Sequence, residues 1–450
     1  MKKTLLTVCL LFLILPLCAQ SAKNAIWVIG DGMGPSIMGM FIQGVKLADL
    51  PMYPDKTSTL EKFINASQTG LFFMHTHDTV VTDSACAATQ MACGVKSTPT
   101  AVGVDAKGKN VITLMEEALK AGKSVGVVTD SYVADATPAG FLTHAASRNE
   151  KENIARQLVN SQAQVILGGG LKYFSNASNK NLLSQAQEQG WQVVRNLEEM
   201  KKIKKGRILG LFADEALPFY GEASAHPHVP TLKEMTQKAI ELLSQNEKGF
   251  VLMVEAGKVD WALHSNEIGP SLWEMINLDE TLAYVWKFAQ KKNDTLLYVN
   301  ADHETGVPAF HYHHLSQTEV NEKTAQGEKL YSGNVNYIPY SYYQDLFKYK
   351  KMLYTLYPQF KKLPSSQQTP EKFQEMVKEF VGVDLKWKKQ IFPYPVLLET
   401  VNRHYGVVWG TGNHSGAMLL GVAYGPGSEA FKGVYHNTDI KAKFEKALGF

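Results

Sequence analysis

The stretch Ala25-Ile26-Trp27-Val28-Ile29-Gly30-Asp31-Gly32-Met33-Gly34 (AIWVIGDGMG) decides the reading of the fold. Five apolar residues follow one another without alternation, the pattern of a strand buried on both faces, as parallel sheets produce. The run stops at a glycine-rich turn that holds a single acid. Similar runs recur at Ser124–Thr129, Gln164–Leu167, Phe250–Val254, Thr295–Val299 and Ala417–Ala423, and each is expected to be a parallel strand. Helical stretches lie between them at Val111–Ala121, Lys151–Ser161, Thr231–Ser244 and Ser271–Ala289. There is no internal repeat and no low-complexity segment. This alternation predicts an α/β fold, with helices covering both faces of a large, mostly parallel sheet.

From about Val307 to Tyr405 the rhythm breaks. The segment is rich in Tyr, Lys, Gln and Pro and shows one helical stretch, Pro370–Phe380, but no buried strand. It reads as an insertion or cap between two parts of one catalytic domain, residues 23–306 and 406–450. The Leu363–Gln368 spacer is loop-like. Such an insertion could shape the mouth of a site, contact a second subunit or restrict large substrates.

The 450 residues are 45% hydrophobic and 20% charged, as in a globular protein, and the net charge of +3 gives no signal for nucleic acid or an anionic membrane. Met1-Lys2-Lys3 followed by the apolar run Thr4–Leu17 and the small residues near Ala19 reads as a secretory signal, residues 1–19, with cleavage as late as residue 22. The run is shorter than the roughly 20 residues a membrane span needs, so no stable span is expected after cleavage. Leu15–Cys18 loosely resembles a lipoprotein box, weakened by the bulky Leu17. Export predicts a periplasmic or secreted protein. Cys86 and Cys93 remain after cleavage. Seven residues along a helix separate them by about 10 Å, too far for a disulfide, so both are expected as buried free thiols.

In open α/β sheets ligands bind beyond the carboxyl ends of the strands. Asp31 follows the first run, and Asp135, Thr137 and Arg148 follow the second. Glu255, Asp260 and His264 follow the run at 250–254, Asp302 and His303 follow that at 295–299, and His414 precedes the last. Each residue alone has an ordinary explanation as a turn acid or surface histidine. Together they would concentrate repelling charge, which bound cations resolve. The segment Val81-Thr82-Asp83-Ser84-Ala85-Cys86-Ala87-Ala88-Thr89 places a hydroxyl before a run of small residues. Standing alone, Ser84 would read as a helix N-cap. Beside metals it reads as a nucleophile.

These dispersed motifs, in this order, resemble the alkaline phosphatase family over most of residues 24–306 and 410–427. The resemblance implies two Zn²⁺ and one Mg²⁺ and a phosphoserine intermediate on Ser84, with small phosphomonoesters as substrates and inorganic phosphate as product. It implies one zinc on Asp260, His264 and His414, near the leaving group, and a second on Asp31, Asp302 and His303, near Ser84. Magnesium is implied on Asp31, Thr137 and Glu255, with Asp135 acting on it through water. Arg148 is implied to grip two phosphoryl oxygens. Asp83 belongs to the nucleophile motif. Trp261 stands where other members carry Lys or His, which implies altered phosphate affinity. The fold implied is a three-layer sandwich around about ten strands, often dimeric, which extends to an expected homodimer here.

Two rivals share parts of this pattern. A phosphodiesterase on the same scaffold is disfavoured by Arg148 and the third metal position. A non-catalytic metal- or phosphate-binding protein needs no nucleophile and would be expected to lack ligands. The Cys/Ser-x-Pro-x-Arg setting of a sulfatase is absent. His311-Tyr312-His313-His314 is expected to be an exposed loop rather than a metal site, and His75 and His77 are expected to be structural.

Overall fold

The computed structural model describes residues 21–311, 313–314, 335–336, 341–385 and 390–450, with backbone alone at 313–314, 335–336 and 341–342. The expected signal at 1–19 lies outside the described residues, as do Tyr312 and the side chains of His313 and His314.

Ten strands form one sheet: β1 (Asn24–Gly30), β2 (Gln68–Phe73), β3 (Ser124–Tyr132), β4 (Val165–Gly169), β5 (Trp191–Val194), β6 (Arg207–Leu211), β7 (Phe250–Ala256), β8 (Thr295–Ala301), β9 (Leu419–Tyr424) and β10 (Gly433–His436). Their order is β10-β2-β9-β8-β1-β7-β3-β4-β6-β5. β1 lies in the middle, between β7 and β8, in parallel register with both, and every one of its residues is buried. That double burial is why its sequence shows no alternation.

One expectation is corrected. The run near 417–423 does form a strand, but β9 is antiparallel to both neighbours. The chain enters it from the end where the parallel strands finish. For this reason His414, which precedes its strand, reaches the same edge as residues that follow theirs. β2, β5, β6 and β10 were not legible as buried runs. They are short, and β2 and β10 leave alternate side chains exposed.

Helices lie on both faces. Leu114–Lys120, Ala136–Leu142 and Asp439–Leu448 pack on one side of the central strands, and Leu232–Leu243 and Ile268–Lys292 on the other. Thr113 and Glu116 form a reciprocal capping box, so the first of these begins later than the apolar pattern suggests. Ile268–Lys292 begins before Pro270, because a first-turn proline lacks only an N–H that has no intrahelical partner. The 307–405 segment is mainly helical among its described residues, including Pro370–Val381 and Tyr394–His404. It also supplies a strand the sequence did not reveal, Pro308–Phe310, paired with Val407–Trp409. Leu353, Phe360, Phe373 and Phe380 join the main apolar core. A single short 3-10 turn interrupts the 363–368 spacer. Cys86 and Cys93 are buried free thiols, as expected. No described helix is long and apolar enough to cross a membrane.

Candidate active site

The carboxyl ends of β1, β2, β3, β7 and β8 and the entry to β9 converge on one edge of the sheet. Ser84 opens the helix Ser84–Cys93, all of whose residues are buried. Its cap is Asp83, whose Oδ1 accepts from the Cys86 N–H at 3.1 Å and the Thr100 N–H at 3.0 Å. Ser84 is therefore free of capping duty. Its Oγ lies 3.1 Å from His303 Nε2.

His303 is the hub. Its Nε2 also lies 3.4 Å from Asp31 Oδ1 and 3.2 Å from Asp302 Oδ2. The Thr305 hydroxyl donates to Asp260 Oδ1 at 2.5 Å, so toward His303 Nδ1, 3.2 Å away, it can only accept. This assigns the proton of His303 to Nδ1 and leaves a lone pair on Nε2. His264 Nδ1 and His414 Nδ1 each meet a backbone carbonyl at 2.8 Å, Gly412 O and Thr82 O respectively, and are fixed in the same tautomer. Their Nε2 atoms then face each other at 3.0 Å with a lone pair each. Asp260 lies 3.4 Å from His264 Nε2 and 3.8 Å from His414 Nε2. Facing lone pairs with a carboxylate beside them make a donor set for a cation, and Nδ1–H bonds to carbonyls are how metal-binding histidines are held.

Fit to metals is tested by what the buried polar atoms lack. Asp31 Oδ1, Asp302 Oδ2 and Thr137 Oγ1 are buried without a hydrogen-bond partner. All three belong to the expected ligand sets. Asp302 Oδ1, by contrast, accepts from the Gly32 and His303 N–H groups. Glu255 Oε2 accepts from Thr129 Oγ1 at 2.5 Å. Gly32 must lack a side chain here: its φ is +69°, and a Cβ would lie 2.8 Å from both Asp260 Oδ1 and Thr305 Oγ1.

Electrostatics agree. Burial, followed by the neighbouring Asp302, Asp260 and Glu255, pushes the Asp31 carboxyl well above the usual range. Burial and then Asp260 push Asp302 up to about 7. Burial and then Asp135 push Glu255 up to about 8. Burial, with His414 and His264 beside it, holds His303 far below the ordinary imidazole value. Protein groups alone leave this cluster with too much negative charge to stay ionised, and cations remove the conflict.

Arg148 reaches Asp83 Oδ2 at 3.4 Å and Asp135 Oδ1 at 3.0 Å. Burial disfavours ionisation of Asp135, but Arg148 and Lys151 outweigh it and hold the carboxyl low. A cavity of about 640 Å³ is lined by Ser84, Arg148, Asp260, His264 and His414, with Val81 and Trp261 among its apolar walls. Trp261 meets the Tyr132 ring edge-on at 6.2 Å.

The thirteen residues singled out from sequence thus lie on this edge of the sheet, though Asp83 and Asp135 act here as cap and ion-pair partners. Three participants were missed. Thr305 fixes the His303 tautomer, Thr129 holds Glu255, and Lys151 reaches Asp135 at 3.3 Å. Only the position of Thr305, two residues after His303, offered a signal. His75 and His77 are exposed, and His75 packs edge-on against His436 at 5.4 Å. No group of potential metal ligands was found at either among the described residues.

A family model described as alkaline phosphatase matches residues 22–450. Alkaline phosphatase 4 of Bacillus subtilis is 31% identical, covering 93% of this chain and 87% of its own. A cold-active alkaline phosphatase from a psychrophilic Shewanella superposes with a TM-score of 0.77 at 30% identity, covering 94% of this chain and 99% of its own. A variant of the enzyme from the Antarctic bacterium TAB5, solved with Mg bound, gives 0.69 at 25% identity over 96% and 99%.

Proposed function

The chain belongs to the alkaline phosphatase family and is a phosphomonoester hydrolase, and from that premise we propose that it works through a phosphoserine on Ser84. The carrying observation is the meeting of Ser84 Oγ, Asp31 Oδ1 and Asp302 Oδ2 around His303 Nε2, within 3.1–3.4 Å. Asp31, Asp302 and His303 are the residues to hold one Zn²⁺, and Asp260, His264 and His414 a second, since mixed imidazole and carboxylate donors suit zinc. Asp31, Glu255 and the hydroxyl of Thr137 are an oxygen set suited to Mg²⁺, the metal bound in the TAB5 variant. Bound there, cations lower the pKa of a hydroxyl and neutralise charge on a transferred phosphoryl group.

The chain's own residues do the rest. Ser84 Oγ attacks phosphorus as the bond to the alcohol oxygen breaks, the hydroxyl proton passing to solvent and the departing oxygen taking up a proton from solvent to leave as the alcohol. The helix amino end behind it favours the anion. Arg148 presents a planar fork to two phosphoryl oxygens. Water then attacks the phosphoserine, restoring Ser84 and releasing phosphate. Steady-state hydrolysis of a monoester and a diester, with metals stripped and then restored, tests the reading. Metal-dependent turnover favouring the monoester is expected; a preference for the diester overturns the assignment of Arg148 and of the magnesium position.

Arg148→Ala is expected to lower kcat/KM for the monoester by about 100-fold, and Arg148→Lys to recover little of it, because an ammonium cannot form the fork. Trp261→Lys is expected to tighten inhibition by inorganic phosphate by about tenfold through a charge-assisted contact. An unchanged inhibition constant rejects that role. A periplasmic or secreted location and a homodimeric state complete the proposal, supported by the charged and apolar N-terminus and by the family's habit respectively.

A further inference from the structure

The corner that follows His264 is held from two sides, by backbone bonds to its own helix (Asn266 N–H to Leu263 O at 2.9 Å, Glu267 N–H to Ala262 O at 3.2 Å) and by side-chain contacts from the 307–405 segment. Ser265 and Asn266 connect the ligand-bearing helix Lys258–His264 to the long helix Ile268–Lys292, and Asn266 adopts a left-handed φ of +54°. Next comes Glu267, completely buried. Among the described residues no cation pairs with it. Instead its Oε2 accepts from the Tyr349 hydroxyl at 2.7 Å and the Leu353 N–H at 2.6 Å. Its Oε1 accepts from the Tyr394 hydroxyl at 2.8 Å and the Tyr354 N–H at 3.2 Å. All four donors come from the 307–405 segment. A buried carboxylate is costly unless its oxygens are satisfied, and here both are saturated.

Further contacts reinforce the same corner. Asn402 donates to Asn266 O at 3.1 Å. Gly269 lets the backbone of Tyr349 approach so closely that a Cβ would lie 2.3 Å from its carbonyl oxygen. Met352, between the Glu267 contacts, packs with Phe219 and Ala262, and Trp261 lies against that cluster. Both the cavity wall at Trp261 and the reach of His264 therefore depend on how this segment sits.

We propose that Glu267 is a positioning residue, fastening the 307–405 segment to the corner after His264 and so setting the geometry of the Asp260, His264 and His414 cation site. This rests on the proposed metal reading of that site. It gives the inserted segment a role in the site itself, which its tyrosine-rich composition could not assign.

The test is competitive removal of Zn²⁺ by a graded chelator from the loaded, full-length enzyme, in wild type, Glu267→Gln, Tyr394→Phe and His414→Ala. Gln keeps the shape of Glu267 but turns an amide N–H toward donors. One zinc of Glu267→Gln is expected to leave at about tenfold lower chelator strength, with the other metals held as in wild type. Tyr394→Phe, which removes one donor and keeps the ring, should shift the same zinc by a smaller factor and serves if Glu267→Gln does not fold. Saturating Zn²⁺ should restore kcat in both. Wild-type affinity for every metal in folded variants overturns the inference, as does uniform loss of all metals with a lowered Tm of the metal-free protein. Wild-type zinc binding by His414→Ala would instead overturn the metal reading itself.

Discussion

Ser84→Ala is expected to lower kcat for a phosphomonoester by about 10⁴-fold or more while leaving fold and metal content intact, on the scale of removing a nucleophile elsewhere. The separation of effects follows from the geometry. Asp83, not Ser84, caps the helix Ser84–Cys93, so losing the hydroxyl costs no cap. The methyl that remains fits within the space the hydroxymethyl occupied, at a position only 3% exposed. Among the described residues, the carboxylates and imidazoles of the site touch Ser84 only through the 3.1 Å approach to His303 Nε2. Acid quenching of wild type during turnover should leave phosphate on the peptide containing Ser84, and the variant should show none. Retention of activity within tenfold of wild type would mean that water attacks the ester directly, and the phosphoserine step would be lost even though the family assignment stands.

Much of this was legible because the informative residues sit at strand ends. β1, β7 and β8 are buried on both faces, so their apolar runs announce themselves, and Asp31, Glu255, Asp302 and His303 lie within two residues of where those strands end. What an apolar run lacks is direction. Nothing in Ala417–Ala423 distinguishes an antiparallel strand from a parallel one, and that direction is what carries His414 to the site. Half-exposed strands such as β2 were missed for another reason: with Thr69, Leu71 and Phe73 facing outward, neither a continuous run nor a clean polar alternation results. Glu267 marks a third limit. The partners that give Glu267 its meaning are 82 to 127 residues further along the chain. Local pattern cannot show a carboxylate saturated by donors that distant.

Stripping the metals is expected to make stability fall with alkali where the loaded protein holds steady. In the metal-free protein Asp302 titrates near 7 and Glu255 near 8, each raised first by burial and then by neighbouring carboxylates. Unfolded, both groups titrate at about 4. Between those values the folded state binds more protons than the unfolded one, so stability is full below about pH 4 and falls as pH rises toward 7 and 8. Asp31, also raised, acts in the same direction, whereas His303 and His414, lowered chiefly by burial, oppose it as pH rises to about 6.5 and no longer do so above that. Bound cations require these carboxylates ionised, which removes the penalty and makes binding strongest at alkaline pH. The Tm of the metal-free protein should therefore drop between about pH 6.5 and pH 8, where the imidazoles no longer oppose the carboxylates. The metal-loaded form should hold steady over that interval, and the gap at pH 8 should reach about 10 °C or more with metals well above their dissociation constants. The Glu255→Gln variant isolates one contribution, because an amide cannot ionise: its metal-free Tm should fall less steeply than that of wild type. Parallel melting curves for the stripped and loaded forms across this pH range would show that the buried carboxylates are compensated by something other than cations. That result would remove the electrostatic basis for assigning metals to this edge of the sheet.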